Sequence, residues 1–188
     1  MLAYNAEKLK GADIPKGFQD FLNPKYRGQI ILLDPRVAAA YMEFYGVLLD
    51  RFGPSFLTQL RVQNPRVYAG GLPAVQALAA GEGILATPML ASTTQILTSK
   101  GASLNTVSDD PTNWVEMQIM LPVRAKSKSP NAARLFVNYA MSAEGNQVFN
   151  NEPGSSSIYD VNLLPKNYQP PKPVSAARAA EITKLLGL

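Results

Sequence analysis

The sequence predicts an α/β fold with a central mixed, mostly parallel sheet and helices on both faces. Three observations carry this. Short apolar runs bounded by Gly, Pro or Asp alternate with stretches of helical spacing. The run Ile30 to Leu33 is continuously apolar, as a strand buried on both faces must be. Strands also lead into helices through short turns, at "DPRVAA" (34–39), "YAGGLPA" (68–74) and "TPMLAST" (87–93).

Taken in order, "LAYN" reads as a short strand, followed by a segment to residue 27 punctuated by Gly11, Pro15, Gly17 and Pro24. After the strand at 30–33, apolar residues from Val37 through Tyr41, Phe44, Tyr45, Leu48 and Leu49 predict a helix that stops near Gly53-Pro54. A second helix is expected over Ser55 to Val62, with Ser55 near its N-cap. "RVYA" predicts a strand, Gly70-Gly71 a turn into the helix "LPAVQALAAG", and "GILAT" another strand. A helix to about Ser99 and a strand "SLNTV" come next. Trp114 to Leu121 alternates as a half-buried strand does. Residues 129–151 read as one helical stretch, with Ala132, Leu135, Phe136 and Tyr139 on one face. A proline-rich strap over 151–174 precedes a final short helix.

Composition narrows the function. The chain has 188 residues, 46% hydrophobic and 17% charged, which is enough for a packed core. It contains no Cys and no His, so it offers no disulfide, no thiolate zinc site and no Cys/His nucleophile–base pair. An enzyme would have to recruit Asp34, Asp109, Asp110 or Glu116, and Asp109 to Asn113 reads as a turn. No catalytic role and no cofactor are therefore expected. The net charge of +4 suits an anionic ligand or an acidic lipid surface, but the basic residues are scattered, with one loop concentration at Arg124, Lys126 and Lys128. Nucleic acid is not an expected partner. No apolar run reaches the ~18 residues of a membrane span, and residues 1–20 lack the sections of a secretory signal.

In open α/β sheets ligands sit at the carboxyl ends of strands, where helix N-termini offer N–H groups and a positive dipole end. The candidate ligand-binding residues are Arg36, Val37 and Ala38 in the first turn, Gly70 and Gly71 in the second, and Ser92, Thr93 and Thr94 in the third. Arg36 could grip an oxyanion with two N–H groups. The hydroxyls of the third turn suit phosphate, phosphonate, sulfonate or carboxylate, and would serve equally as helix caps. Tyr41, Tyr45 and Trp114 read as packing residues.

The stretch "YN…LK…DIPKGFQDFLNPKYRGQIILLDPR" resembles a segment of extracellular solute-binding proteins of ABC importers, in the subgroup of ferric-iron and phosphonate binders. "AVQALAAGEG" and "LPVRAKSKSPNAARLFVNYAMSAEGNQVF" resemble later segments of that family, in the same order. The resemblance implies one lobe of a type II periplasmic-binding-protein fold. It further implies an interlobe crossover at 1–27, the second lobe over 28–150, and a strap and helix at 151–188 returning toward the first lobe. The partners it implies are a small solute, an ABC permease, and a missing first lobe or a second copy of the chain. It places an intact parent in the periplasm or outside the cell. Iron-binding members use a tyrosine pair in the third turn. Here that turn has no tyrosine and no adjacent Tyr pair exists, so iron binding in that manner is not expected. A self-associating lobe without tight solute binding is the alternative.

Overall fold

The computed structural model describes residues 1–107, 128–151, 157, 159 and 172–188. The expected strand at Trp114 to Leu121, the Asp109–Asn113 turn, most of the 124–128 basic loop and most of the strap lie outside the described residues. The chain resolves into two compact units, Met1–Trp114 with Gln169–Leu188, and Val115–Tyr168. The segment before residue 28 and the C-terminal helix thus share one unit with the sheet, whereas residues 115–150 fall in the other.

Among the described residues, the first unit is built on a five-stranded sheet of β1 (Leu2–Asn5), β2 (Ile30–Leu33), β3 (Arg66–Tyr68), β4 (Leu85–Thr87) and β5 (Leu104–Val107), in the order β3-β2-β4-β1-β5. β2 is parallel to both β3 and β4, and β1 is antiparallel to β4 and β5. Four strands therefore share one direction, and the mixed, mostly parallel sheet is as the sequence predicts. Side chains of β2 alternate between two cores. Ile30 and Leu32 enter one and Ile31 and Leu33 the other, all at most 2% exposed. That explains why the strand has no polar position.

The first core lies under α1 (Ala39–Phe52), α2 (Pro54–Val62) and α7 (Ala176–Leu186), with Phe18 and Phe21 from a 3₁₀ turn. The opposite face carries α3 (Gly71–Ala80), whose small Ala74, Val75 and Ala77 allow close approach to the sheet. Beside it lies α4 (Ala91–Thr98). Asn5 closes β1 and is buried. Its Nδ2 donates to Leu78 O at 3.0 Å and its Oδ1 accepts from the backbone N–H groups of Glu7 and Lys8. The Asn of "YN" is thus a structural tie between strand and helix.

Helix boundaries differ from expectation for local reasons. α1 starts at Ala39 rather than Val37, because the Asp34 carboxylate accepts from Arg36 N (2.9 Å) and Asp34 O accepts from Val37 N (3.2 Å). This Asx turn consumes the two residues. α2 takes Gly53, at φ 77°, as its N-cap and Pro54 as its first residue, in place of Ser55 as cap. The final short helix forms as the sequence predicts. α7 packs on α1 and α2, with Ile182 and Leu186 in the first core and Arg178 donating to Gly46 O (3.1 Å) and to Asp50. Apolar residues at helical spacing made a nearby face available, and burial there decides the position.

In the second unit the expected helix over 129–151 is two helices, α5 (Pro130–Ala140) and α6 (Ala143–Phe149). Ser142 caps α6, its hydroxyl accepting from Gly145 N at 3.1 Å. A Cβ on Gly145 would fall 1.9 Å from Tyr139 O, so only glycine permits this close turn. Phe136 and Phe149 meet edge to face at 5.8 Å, while Leu135 is 72% exposed.

Burial sets the expected mutational pattern. Ile182→Ala should cost about 2–4 kcal/mol of unfolding free energy in urea denaturation, as buried large-to-small changes do. Leu135→Ala should cost less than about 0.5 kcal/mol. Equal losses would contradict the placement of α7.

Candidate functional site

Parallel pairing brings the carboxyl ends of three strands to one edge. Leu33 lies opposite Tyr68, and Leu32 opposite Thr87. The β2–α1, β3–α3 and β4–α4 turns leave this edge side by side. α1 leaves toward one face of the sheet and α3 toward the other, so the chain reverses direction here, as at ligand-binding crevices of open α/β sheets.

Side-chain geometry brings the turns together at Gly71. A Cβ placed on Gly71 would lie 3.5 Å from Thr93 Cγ2, 3.7 Å from Thr93 Oγ1 and 3.9 Å from the Tyr41 hydroxyl. One residue from each helix's first turn therefore borders the same small space. Backbone bonds of α3 and α4 begin with Ala74 N to Gly70 O and Thr94 N to Leu90 O. The amides of Gly71, Leu72 and Ala91 to Thr93 precede those ladders and are the ones a helix start leaves over.

The other residues singled out from sequence take different places. Gly70 is the N-cap of α3, in extended conformation. Ala38 is the N-cap of α1, with no side-chain hydrogen bond, and Val37 is 53% exposed. Thr94 is buried and donates to Leu90 O at 3.1 Å, so its hydroxyl serves its own helix. Ser92 is exposed and Thr93 half-buried. Among the described residues neither hydroxyl has a hydrogen-bond partner.

Arg36 does not stand free. Its guanidinium lies bidentate on Asp34, with Nε at 2.9 and 3.2 Å and NH2 at 2.7 Å. The hydrogen bonds from Arg36 hold the Asp34 carboxyl below its ordinary range and raise the guanidinium above its own. Gripping a solute anion with Arg36 would mean giving up this partner.

Tyr45 and Tyr41, one helical turn apart, part company. Tyr45 is fully buried and donates to Leu33 O at 2.8 Å, and burial pushes its phenol pKa far up. Tyr41 sits one turn nearer the helix start, past the end of β2. Its ring packs on the second core, and its hydroxyl reaches the space before Gly71. The sequence reading placed Tyr41 with the core. Its ring does pack there, and the position of its hydroxyl follows from its place in the first turn after "DPR". Among the described residues no group of Asp and Glu side chains is arranged to hold a metal ion. A separate groove between Gln19, Leu22, Phe52 and Phe56 lies at the far end of α1.

Arg36→Gln should raise the Asp34 pKa toward its ordinary value of 3.8, read by NMR titration of the carboxyl carbon. The depressed pKa means the pair stabilises the fold above that value. The contribution fades as pH falls through the folded pKa, and the variant should lose this dependence. An unchanged titration would mean the ion pair is not formed in solution.

The comparisons agree with this architecture. The substrate-binding protein of an ABC transporter from Agrobacterium tumefaciens superposes with a TM-score of 0.71 at 15% identity, covering 98% of this chain and 63% of that one. Iron-bound HitA from Pseudomonas aeruginosa gives 0.59 at 20% identity, covering 99% and 64%. AfuA from Actinobacillus pleuropneumoniae, with fructose-6-phosphate bound, gives 0.61 at 19% identity, covering 99% and 63%. The chain thus spans less than two thirds of these proteins' length. The likeness shows the fold, that of one lobe of a type II periplasmic-binding protein. No curated protein sequence matches. The family model of the bacterial extracellular solute-binding protein matches residues 1–184, and the chain belongs to that family.

Proposed function

We propose that this chain is the solute-holding part of an extracellular solute-binding protein that serves an ABC importer. Its solute is small and anionic or polar, and meets the β2–α1, β3–α3 and β4–α4 turns. The observation that carries this is the convergence of Tyr41, Gly71 and Thr93 at one sheet edge. The donors there are hydroxyls and helix-start amides, which suit oxygen acceptors. Among the residues singled out from the sequence, Gly71 and Thr93 are assigned to direct contact, and Gly70, Ala38 and Val37 to shaping the turns. Ser92 is assigned to the exposed rim. Thr94 holds α4, and Arg36 acts only when released from Asp34. Related proteins hold iron or fructose-6-phosphate. For this chain the third turn, without tyrosine, favours the oxygen-bearing solute.

The implied partners are an ABC permease and the part of the bilobal fold that the relatives possess beyond this chain's span. The implied location is the periplasm or cell exterior. No described helix is long and apolar enough to cross a membrane. Binding, not catalysis, is the family's role.

Thermal unfolding against inorganic phosphate, fructose-6-phosphate, a phosphonate, thiamin and ferric iron tests the proposal. A saturable Tm rise with a phosphate- or phosphonate-bearing solute is expected, corresponding to ~2.7 kcal/mol at a hundredfold excess over Kd. A rise with iron alone, or with none, contradicts it.

A second reading, self-association, is favoured by the apolar surface of α5 and α6. Leu135, Val148 and Phe149 there are 72%, 54% and 51% exposed. On this reading size-exclusion chromatography gives a dimer that Leu135→Glu converts to monomer. A monomer at every concentration removes it.

A further inference from the structure

Two hydroxyls at the sheet edge, those of Tyr41 and Thr93, have no hydrogen-bond partner among the described residues, and both lie within 4 Å of one point in front of Gly71. We propose that Tyr41 is a specificity-determining residue of the solute site, reading an oxyanion group of the solute jointly with Thr93, and that Gly71 lacks a side chain to leave room for that group. This rests on the solute-binding reading above.

The argument separates ring from hydroxyl. The ring of Tyr41 packs on the second core, a task that Phe would perform as well. The hydroxyl contributes nothing to that packing. It points to the junction of three helix starts, whereas the hydroxyl of Tyr45 is spent on Leu33 O. Gly71 in turn has no backbone need for glycine. It does not have a positive φ, and a Cβ there would meet its neighbours at ordinary contact distances of 3.5–3.9 Å. Alanine is moreover the better helix former. Glycine at a position where alanine fits the fold indicates that the space itself is used. Any group entering it finds two hydroxyl donors and the leftover amides of α3, while the nearest arginine of the turn, Arg36, is engaged by Asp34. Such donors fit an oxyanion and leave no side-chain charge to hold a cation.

The test is calorimetric titration of the full chain with inorganic phosphate, fructose-6-phosphate and thiamin. The proteins compared are the parent, Tyr41→Phe, Thr93→Val and Gly71→Ala, with the Tm of each measured without solute. The expected result is that a phosphate-bearing probe binds the parent. Tyr41→Phe and Thr93→Val should each weaken it about tenfold. Gly71→Ala should weaken it at least tenfold, with Tm unchanged or raised by a few degrees. If a phosphate-bearing probe binds all four proteins alike, Tyr41 is a packing residue only, and the solute-binding reading survives. Binding of thiamin alone, unaffected by the variants, overturns the proposal in the same way. No binding by any probe overturns both. Losses of binding matched by lowered Tm in all three variants overturn it as well, assigning the losses to folding.

Discussion

The parallel pairing of β2 with β3 and β4 is the constraint on which the rest of this structure depends. A four-residue strand with no polar side chain must be covered on both faces, which requires helices above and below. Parallel neighbours require crossover connections, and these supply the helices. Because all three strands then point the same way, their carboxyl ends share one edge, and three helices start there. The candidate site is thus a consequence of how β2 is buried.

Much of this was legible in the residues. Ile30–Leu33 is unmistakable as a doubly buried strand, and Gly81, Gly53 and Pro54 mark helix ends by their backbone preferences. What escaped depended on competition between neighbours. Asp34 captures Arg36 and its amide, which delays α1 and engages the arginine that stood as the charged candidate. Helical spacing puts Tyr41 and Tyr45 on one face, yet the first core, which holds Tyr45, ends before Tyr41, which packs on the second core past the end of β2. Periodicity gives the face of a helix but not how far along it the core extends. The break between α5 and α6 hinges on Ser142 and Gly145, a short-range cap inside an otherwise continuous helical pattern.

The electrostatics of the edge follow from the same details. With Arg36 paired, the donors left near Gly71 are neutral hydroxyls and amides, whose pull on an anion comes from oriented dipoles. Dipoles of this kind release an anion more readily than a desolvated ion pair does, which would suit the proposed role of holding a solute for delivery. On the proposed reading, the side chains at these turns, Tyr41 and Thr93, are where a choice of solute would be made.

The claim that the three turns act as one surface is tested most directly by an NMR titration of backbone amides with fructose-6-phosphate. The account predicts that Ala39, Gly71, Leu72 and Thr93 shift together along one saturation curve, while amides near Phe52 and Phe56 stay still. Shifts confined to a single turn, separate curves for the three, or movement centred on the Phe52–Phe56 groove would contradict it.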